Sequence, residues 1–259
     1  MQISVSSCCW WDDPLDEVLR KASSCGFRAI EILAFAPYFP RVHLDLTTTT
    51  TAELRRKLED HGLVLSGLHA GSIWTTTEEL RRNLTDYAKM AIEAAAELEC
   101  PTVVEGGPLR DEQPFEPFID SLLELQRELE NAPVQLVLEN HHNYWLESIE
   151  DYRGLLTHIS SPKIGICADT GHFTAAGVDP VRFAETFKER IYHVHVKDHI
   201  GEKSVPLGKG TTNNREVARR LREYGYQGFL TQELELEDKK NADIHACEGR
   251  DYMLGLLEA

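Results

Sequence analysis

The chain has 259 residues and is acidic: 43 Asp plus Glu against 27 Lys plus Arg give a formal charge of −16 at pH 7. Such a field repels a phosphate backbone and no Lys/Arg-rich block offsets it, which argues against nucleic acid as a partner. No apolar run approaches the roughly 20 residues that span a bilayer, and no basic-then-apolar leader opens the chain, so a cytoplasmic protein with no membrane partner is expected.

The six cysteines, Cys8, Cys9, Cys25, Cys100, Cys167 and Cys247, include no C-x-x-C pair. They read as reduced thiols, several of them buried as small apolar groups. The length is ample for a sizeable core.

Taken in order, Gln2–Ser6 reads as a strand and 14–24 as a helix closed by Gly26. Ala29–Leu33 is the next strand, followed by a loop rich in aromatics and proline (Phe35, Pro37, Tyr38, Phe39, Pro40). Thr50 or Thr51 caps a helix that Gly62 ends after His61. Residues 63–69 form the third strand, and Thr77 opens a long helix over 78–98. Strand 102–105 breaks at Gly106-Gly107-Pro108, and 114–131 is helical. Strand 135–139 leads to a helix opened by Ser148, and strand 163–168 to a helix over 179–189. Strand 191–196 precedes a helix capped by Asn213 or Asn214 and stopped by Gly225. Strand 228–233 and a helix from about residue 241 close the series.

Eight strand–helix alternations with no linker between them predict a single (β/α)8 TIM barrel over residues 1–259. A doubly wound sheet would carry a glycine-rich phosphate loop after an early strand, and none is present.

Active sites in such barrels lie at the carboxyl ends of the strands. Glu31, His69, Glu105, Glu139, Asp169, His195 and Glu233 all fall there. Strand alternation puts Gln135, Val137 and Glu139 on one face, and likewise Gly165, Cys167 and Asp169, and Phe229, Thr231 and Glu233. Three carboxylates gathered inside a barrel repel one another unless a cation lies between them. One divalent metal is therefore expected where these strand ends converge. His193 lies on the same face as His195 and competes with it as the imidazole ligand; His195 is nearer the strand end.

Five motifs carry a family resemblance: Leu138-Glu139-Asn140-His141, Asp169-Thr170-Gly171-His172, His195-Val196-Lys197-Asp198, Gly208-Lys209-Gly210 and Gln232-Glu233. In this order at successive strand ends they resemble the xylose isomerase-like barrel superfamily. This is the sugar phosphate isomerase/epimerase group that includes ketose 3-epimerases, inosose dehydratases and isomerases, and endonuclease IV. The resemblance implies one divalent ion (Mn, Mg, Co or Zn) held by Glu139, Asp169, His195 and Glu233. It implies an isomerase or epimerase of a small sugar, sugar phosphate or cyclitol, working through a metal-bound enediolate with Glu139 and Glu233 as acid and base. His172 and Lys197 would contact substrate, and a homo-oligomer is possible. His69 and Glu105, at their strand ends, read as substrate-contacting pocket residues or equally as supporting or core polar groups.

Alternatives are a dehydratase of the inosose or dehydroshikimate type on the same site, or a non-catalytic barrel. An endonuclease IV-like three-zinc centre needs an Asp-x-His between strands seven and eight, and no Asp or His lies between His199 and Glu233. The arginine that ketose 3-epimerases place a few residues after the metal histidine is also missing from Lys197–Lys203. Trp10, Trp11, Phe35 and Tyr38 are candidate pocket walls or core residues. Lys209 reads as a phosphate-reaching side chain or a plain turn, and His141 and His142 as loop structure or supports rather than ligands.

Overall fold

The computed structural model describes residues 1–37, 39 and 42–258. Tyr38 and Pro40 of the aromatic loop lie outside the described residues, so the expectation that Tyr38 walls the pocket falls outside them too. Eight parallel strands close into a barrel: β1 (Gln2–Ser6), β2 (Ala29–Leu33), β3 (Val64–Ser72), β4 (Thr102–Gly106), β5 (Gln135–Glu139), β6 (Ile164–Asp169), β7 (Ile191–Val196) and, after a two-stranded hairpin of β8 (Asp198–Ile200) and β9 (Lys203–Val205), β10 (Phe229–Gln232). The helices are α1 (Leu15–Ser24), α2 (Thr51–His61), α3 (Glu78–Glu97), α4 (Glu116–Leu129), α5 (Ile149–His158), α6 (Thr170–Ala175), α7 (Pro180–Phe187), α8 (Asn214–Glu223) and α9 (Ala242–Glu258). This is the expected (β/α)8 barrel.

Local chemistry explains the boundaries. Thr50 and Glu53 form a reciprocal capping box at the start of α2, and Gly62 takes the left-handed conformation that ends it. Ser148 and Asp151 form a second capping box on α5. Strands β2, β4 and β6 are buried along their whole length, as parallel strands covered by helices must be. None of the described helices is long and apolar enough to cross a membrane.

Register decides which side chains enter the barrel. Val104 lies opposite Val137 and Gly106 opposite Glu139. Glu139 lies opposite Cys167, and Asp169 opposite His195. Thr231 lies opposite both Ser4 and His195. Val104, Val137 and Cys167 form a small apolar layer inside, apart from the large cluster between strands and helices. Above and beside this layer the interior is polar.

Several short elements among the described residues were not predicted. A 3₁₀ turn at Ser7–Trp10 follows β1, α6 starts directly at the end of β6, and the β8–β9 hairpin inserts between β7 and α8. Each is six residues or shorter per element, too short to show a periodicity. Strand β3 also runs on to Ser72 through a register shift after His69.

The thiol expectation needs correction. Cys25 and Cys247 form a disulfide with Cα atoms 4.9 Å apart, joining the end of α1 to α9. The two are 222 residues apart in sequence, so spacing carries no hint of the pair. Closure of the barrel brings the last helix beside the first. Cys8, Cys9, Cys100 and Cys167 are free and buried.

Candidate metal centre

Four barrel strands each deliver one side chain to a single point. Glu139 ends β5, Asp169 ends β6, His195 lies within β7 and Glu233 follows β10. Their ligand atoms all lie within 4.8 Å of one another, and all four residues are buried. The surrounding motif residues hold them there. Asn140 cross-links the ends of β5 and β6: its Nδ2 donates to the Asp169 carbonyl at 3.0 Å, and its Oδ1 accepts the Asp169 N–H at 2.7 Å. Asp169 Oδ1 accepts the His172 N–H at 2.7 Å and so caps α6, which accounts for the Asp-x-x-His spacing. Thr170 Oγ1 ties the start of α6 to β7, donating to the His195 carbonyl at 3.2 Å and accepting the Lys197 N–H at 3.1 Å.

With Oδ1 committed to the cap, Asp169 Oδ2 is buried without a hydrogen-bond partner, and so is Glu233 Oε2. Lys197 Nζ approaches these oxygens at 3.2 and 2.8 Å. Its hydrogen bonds, however, run to Glu235 Oε2 at 2.7 Å and to His172 Nε2 at 3.0 Å. Without a further cation, the Lys197 ammonium and a protonated His195 set two positive charges against three buried carboxylates. The strain appears in their acidities. Burial pushes the Asp169 carboxyl well above its usual range, against the pull of Lys197 and with the repulsion of Glu233 and Glu139. Burial acts on Glu139 and Glu233 as well, but the charge and hydrogen bond of His195, joined by His69 at Glu139 and by Lys197 at Glu233, together outweigh it and hold both well below the usual range. The cluster is short of positive charge at the point where the orphaned oxygens meet.

His195 completes a fit for a cation. Its Nε2 lies 3.0 Å from Glu31 Oε2. Its Nδ1 faces the carboxylates, 2.6 Å from Glu139 Oε1, 3.2 Å from Glu233 Oε2 and 3.9 Å from Asp169 Oδ2. A neutral imidazole that donates Nε2–H to Glu31 leaves its Nδ1 lone pair toward the cluster, the carboxylate–histidine arrangement common behind metal ligands. Three carboxylates and one imidazole suit Mn, Mg, Co or Zn.

The other expected site residues divide. His69 Nδ1 accepts the Gly71 N–H at 3.2 Å, so Nε2 is the donor to Glu139 Oε2 at 3.1 Å. His172 and Lys197 line the same cleft of about 250 Å3, walled by Trp11, Phe35, Phe39, Trp74 and Tyr144. His172 is held well below its ordinary range, first by burial and then by the Lys197 ammonium, and its Nε2 accepts from Lys197.

Glu105 is not in the cleft. It lies opposite Leu138, one residue out of phase with the Gly106–Glu139 pair, and so points away from the barrel interior. Burial raises its pKa to about 8. Trp10 is a core residue, 2 % exposed. His141 lines the cleft, its ring 3.7 Å from that of His172, while His142 bonds Glu147 at 2.8 Å. Lys209 is exposed in a turn whose backbone wraps Asp198: the Gly208 and Gly210 N–H groups each donate to Asp198 Oδ2 at 2.9 Å.

Three contributors had no role assigned from sequence. Glu31 supports His195 from β2. His193, set aside as a competitor of His195, bonds Thr231 Oγ1 at 2.8 Å and faces Glu31 Oε2 at 3.0 Å. Glu235, two residues beyond Glu233, holds the Lys197 ammonium. Glu31 had a usable signal, since it lies opposite Gly67, two residues before His69 on the same face of the sheet.

The barrel and its polar mouth define the class, and comparison with known proteins agrees. A family model described as "Xylose isomerase-like TIM barrel" matches residues 19–251, and the chain belongs to that family. Inosose dehydratase from Lacticaseibacillus casei is 25 % identical over 141 residues, covering 46 % of this chain and 47 % of that protein. The chain spans about half the length of that relative. Two solved structures share the fold. A D-tagatose 3-epimerase-like protein has TM-score 0.84 and 23 % identity, covering 100 % of this chain and 97 % of that one. An IolI protein with a bound zinc atom has TM-score 0.82 and 16 % identity, covering 99 % and 98 %.

Proposed function

We propose that this chain is a divalent-metal-dependent isomerase or epimerase of a small sugar, sugar phosphate or cyclitol. One observation carries the reading: two glutamates, Glu139 from β5 and Glu233 from β10, reach one buried cleft from strands separated by β6 and β7, among unsatisfied carboxylate oxygens. Glu139, Asp169, His195 and Glu233 would hold the ion. Once bound, a divalent ion supplies Lewis acidity that polarises a substrate carbonyl and offsets negative charge developing on its oxygens.

Glu139 and Glu233 bracket the substrate and exchange a proton at the carbon next to the carbonyl. One glutamate, ionised, removes the proton from one face and the other, entering the step as the carboxylic acid, delivers its proton to the opposite face, inverting that carbon and leaving the two protonation states exchanged. His69 donates to Glu139 Oε2 and fixes its orientation. Lys197 sits beside Glu233 as a buried ammonium and stabilises negative charge on that side. The aromatic walls exclude water and offer faces to the apolar side of a sugar ring.

A dehydratase is the second reading, favoured by the inosose dehydratase relatives. It uses the same proton abstraction followed by loss of a β-hydroxyl.

Incubation of the Mn-loaded protein with a panel of ketoses and cyclitols in D2O separates the two. Deuterium uptake without loss of water fits the epimerase, and growth of an enone ultraviolet band fits the dehydratase. Glu139→Gln and Glu233→Gln should each lower exchange by about 10²–10⁴-fold with an unchanged circular dichroism spectrum. Near-normal exchange in either variant removes the two-base scheme.

A further inference from the structure

The cleft above the metal cluster is one of two that share walls. A second cleft of about 330 Å3 lies between the 3₁₀ turn after β1 and the start of α9. Trp11 and Glu235 line both clefts. Trp11 is set edge-on to Phe35 of the inner cleft, ring centroids 6.2 Å apart at 70°. Glu235 is anchored to Lys197. These two side chains are common to both linings, so the two clefts adjoin at Trp11 and Glu235. The inner cleft alone falls below the range usual for small-molecule sites, roughly 300–1,000 Å3, while the two together fall well inside it.

The outer cleft has the chemistry of a sugar subsite. Its floor is apolar, built from Leu234, Leu236 and Ala242 with the Cys8 and Cys9 thiols. Trp11 supplies a partly exposed aromatic ring at the wall, while Trp10 is 2 % exposed and fixed by its N–H donating to Asp243 Oδ1 at 2.7 Å. The rim is charged, but its cations are spent. Lys21 pairs with Asp13 at 2.8 Å and with Asp243 at 3.0 Å, and Lys239 pairs with Asp12 at 2.7 Å. Asp238 and Glu235 add further negative charge. A phosphate or carboxylate entering here meets carboxylates and no uncommitted ammonium among the lining residues. A neutral polyhydroxylated ring finds an aromatic face, an apolar floor and hydrogen-bond acceptors around it.

We infer that the substrate is a neutral two-unit compound, a glycoside or disaccharide. Its reacting unit lies over the metal cluster and its second ring lies in the outer cleft. This rests on the isomerase or epimerase reading for the inner cleft, and it narrows the substrate class by disfavouring sugar phosphates.

The test measures binding by titration calorimetry on the Mn-loaded protein with four probes: fructose, fructose 6-phosphate, and the ketose disaccharides lactulose and isomaltulose. At least one disaccharide should bind about tenfold or more tightly than fructose, and fructose 6-phosphate no more tightly. Leu236→Trp fills the outer cleft and should erase the disaccharide gain while leaving fructose binding unchanged. Ala242→Phe narrows the same cleft from α9 and should act likewise, so the test survives if one variant misfolds. The inference is overturned if neither disaccharide outbinds fructose, if the phosphate is the tightest ligand, or if both variants weaken fructose and disaccharide equally. Binding and deuterium exchange are read separately. A disaccharide gain without exchange leaves this inference and removes the isomerase reading; exchange without a gain does the reverse.

Discussion

At the scale of single residues, the account turns on which carboxylates face inward and what they meet there. Glu139, Asp169, His195 and Glu233 were legible because each combines a strand end with the inward phase of a period-two pattern. The same rule, applied to Val103-Val104-Glu105, shows why Glu105 misses: Val104 is the inward residue. Glu105 therefore lies buried with its Oε2 unpartnered and its pKa raised to about 8. The folded state holds this proton at pH values where the unfolded chain, near 4.5, has lost it. Stability from this group consequently falls as pH rises from about 4.5 to about 8. Glu105→Gln should flatten that decline, by up to about 1.4 kcal/mol per pH unit within the window. Thermal melts at pH 5 and pH 8 check this; a variant losing as much stability as the parent over that interval contradicts it. Glu31 makes the opposite case, an inward residue whose partner could not be read from sequence. It accepts from His195 Nε2, so Glu31→Gln should weaken Mn binding by about 10–100-fold in an electron paramagnetic resonance titration. Unchanged affinity would mean that Glu31 does not orient the ligand.

At the scale of elements, helices with strong end signals were legible and short connections were not. Thr50, Thr77 and Ser148 cap helices where their side chains predict. The Asp169-Thr170-Gly171-His172 motif at the end of β6 is itself a helix start: Asp169 caps α6 with one oxygen and leaves the other to the cluster. Gly171 lets α6 sit against β7, since a Cβ there would come within 2.4 Å of Lys197 Cβ and 2.7 Å of His199 Cδ2. Gly171→Ala should therefore cost about 1–3 kcal/mol in urea unfolding, as overpacking does. A cost near zero contradicts the close approach. Asp198 explains the Gly-Lys-Gly stretch in structural terms, as a carboxylate gathering backbone N–H groups rather than a lysine reaching a substrate. The disulfide between α1 and α9 was illegible because only tertiary closure brings Cys25 to Cys247. Thiol titration of the unfolded, unreduced protein should find four reactive cysteines and six after reduction; six before reduction contradicts the link.

At the scale of the molecule, the alternation of eight strands with helices was enough to predict the barrel, because parallel strands need helical crossovers and both layers need burial. The closed order of strands then does what no single motif can: it turns residues spread from position 139 to position 233 into neighbours within 4.8 Å. Those neighbours crowd negative charge with too few hydrogen bonds to hold it, and a divalent ion bound among them would relieve the crowding. The most direct measurement is an anomalous difference map from crystals of the Mn-loaded protein. The account predicts a single strong peak in contact with Glu139, Asp169, His195 and Glu233, lost in Asp169→Ala. A map with no peak among those four side chains, or with Mn bound elsewhere, would contradict it.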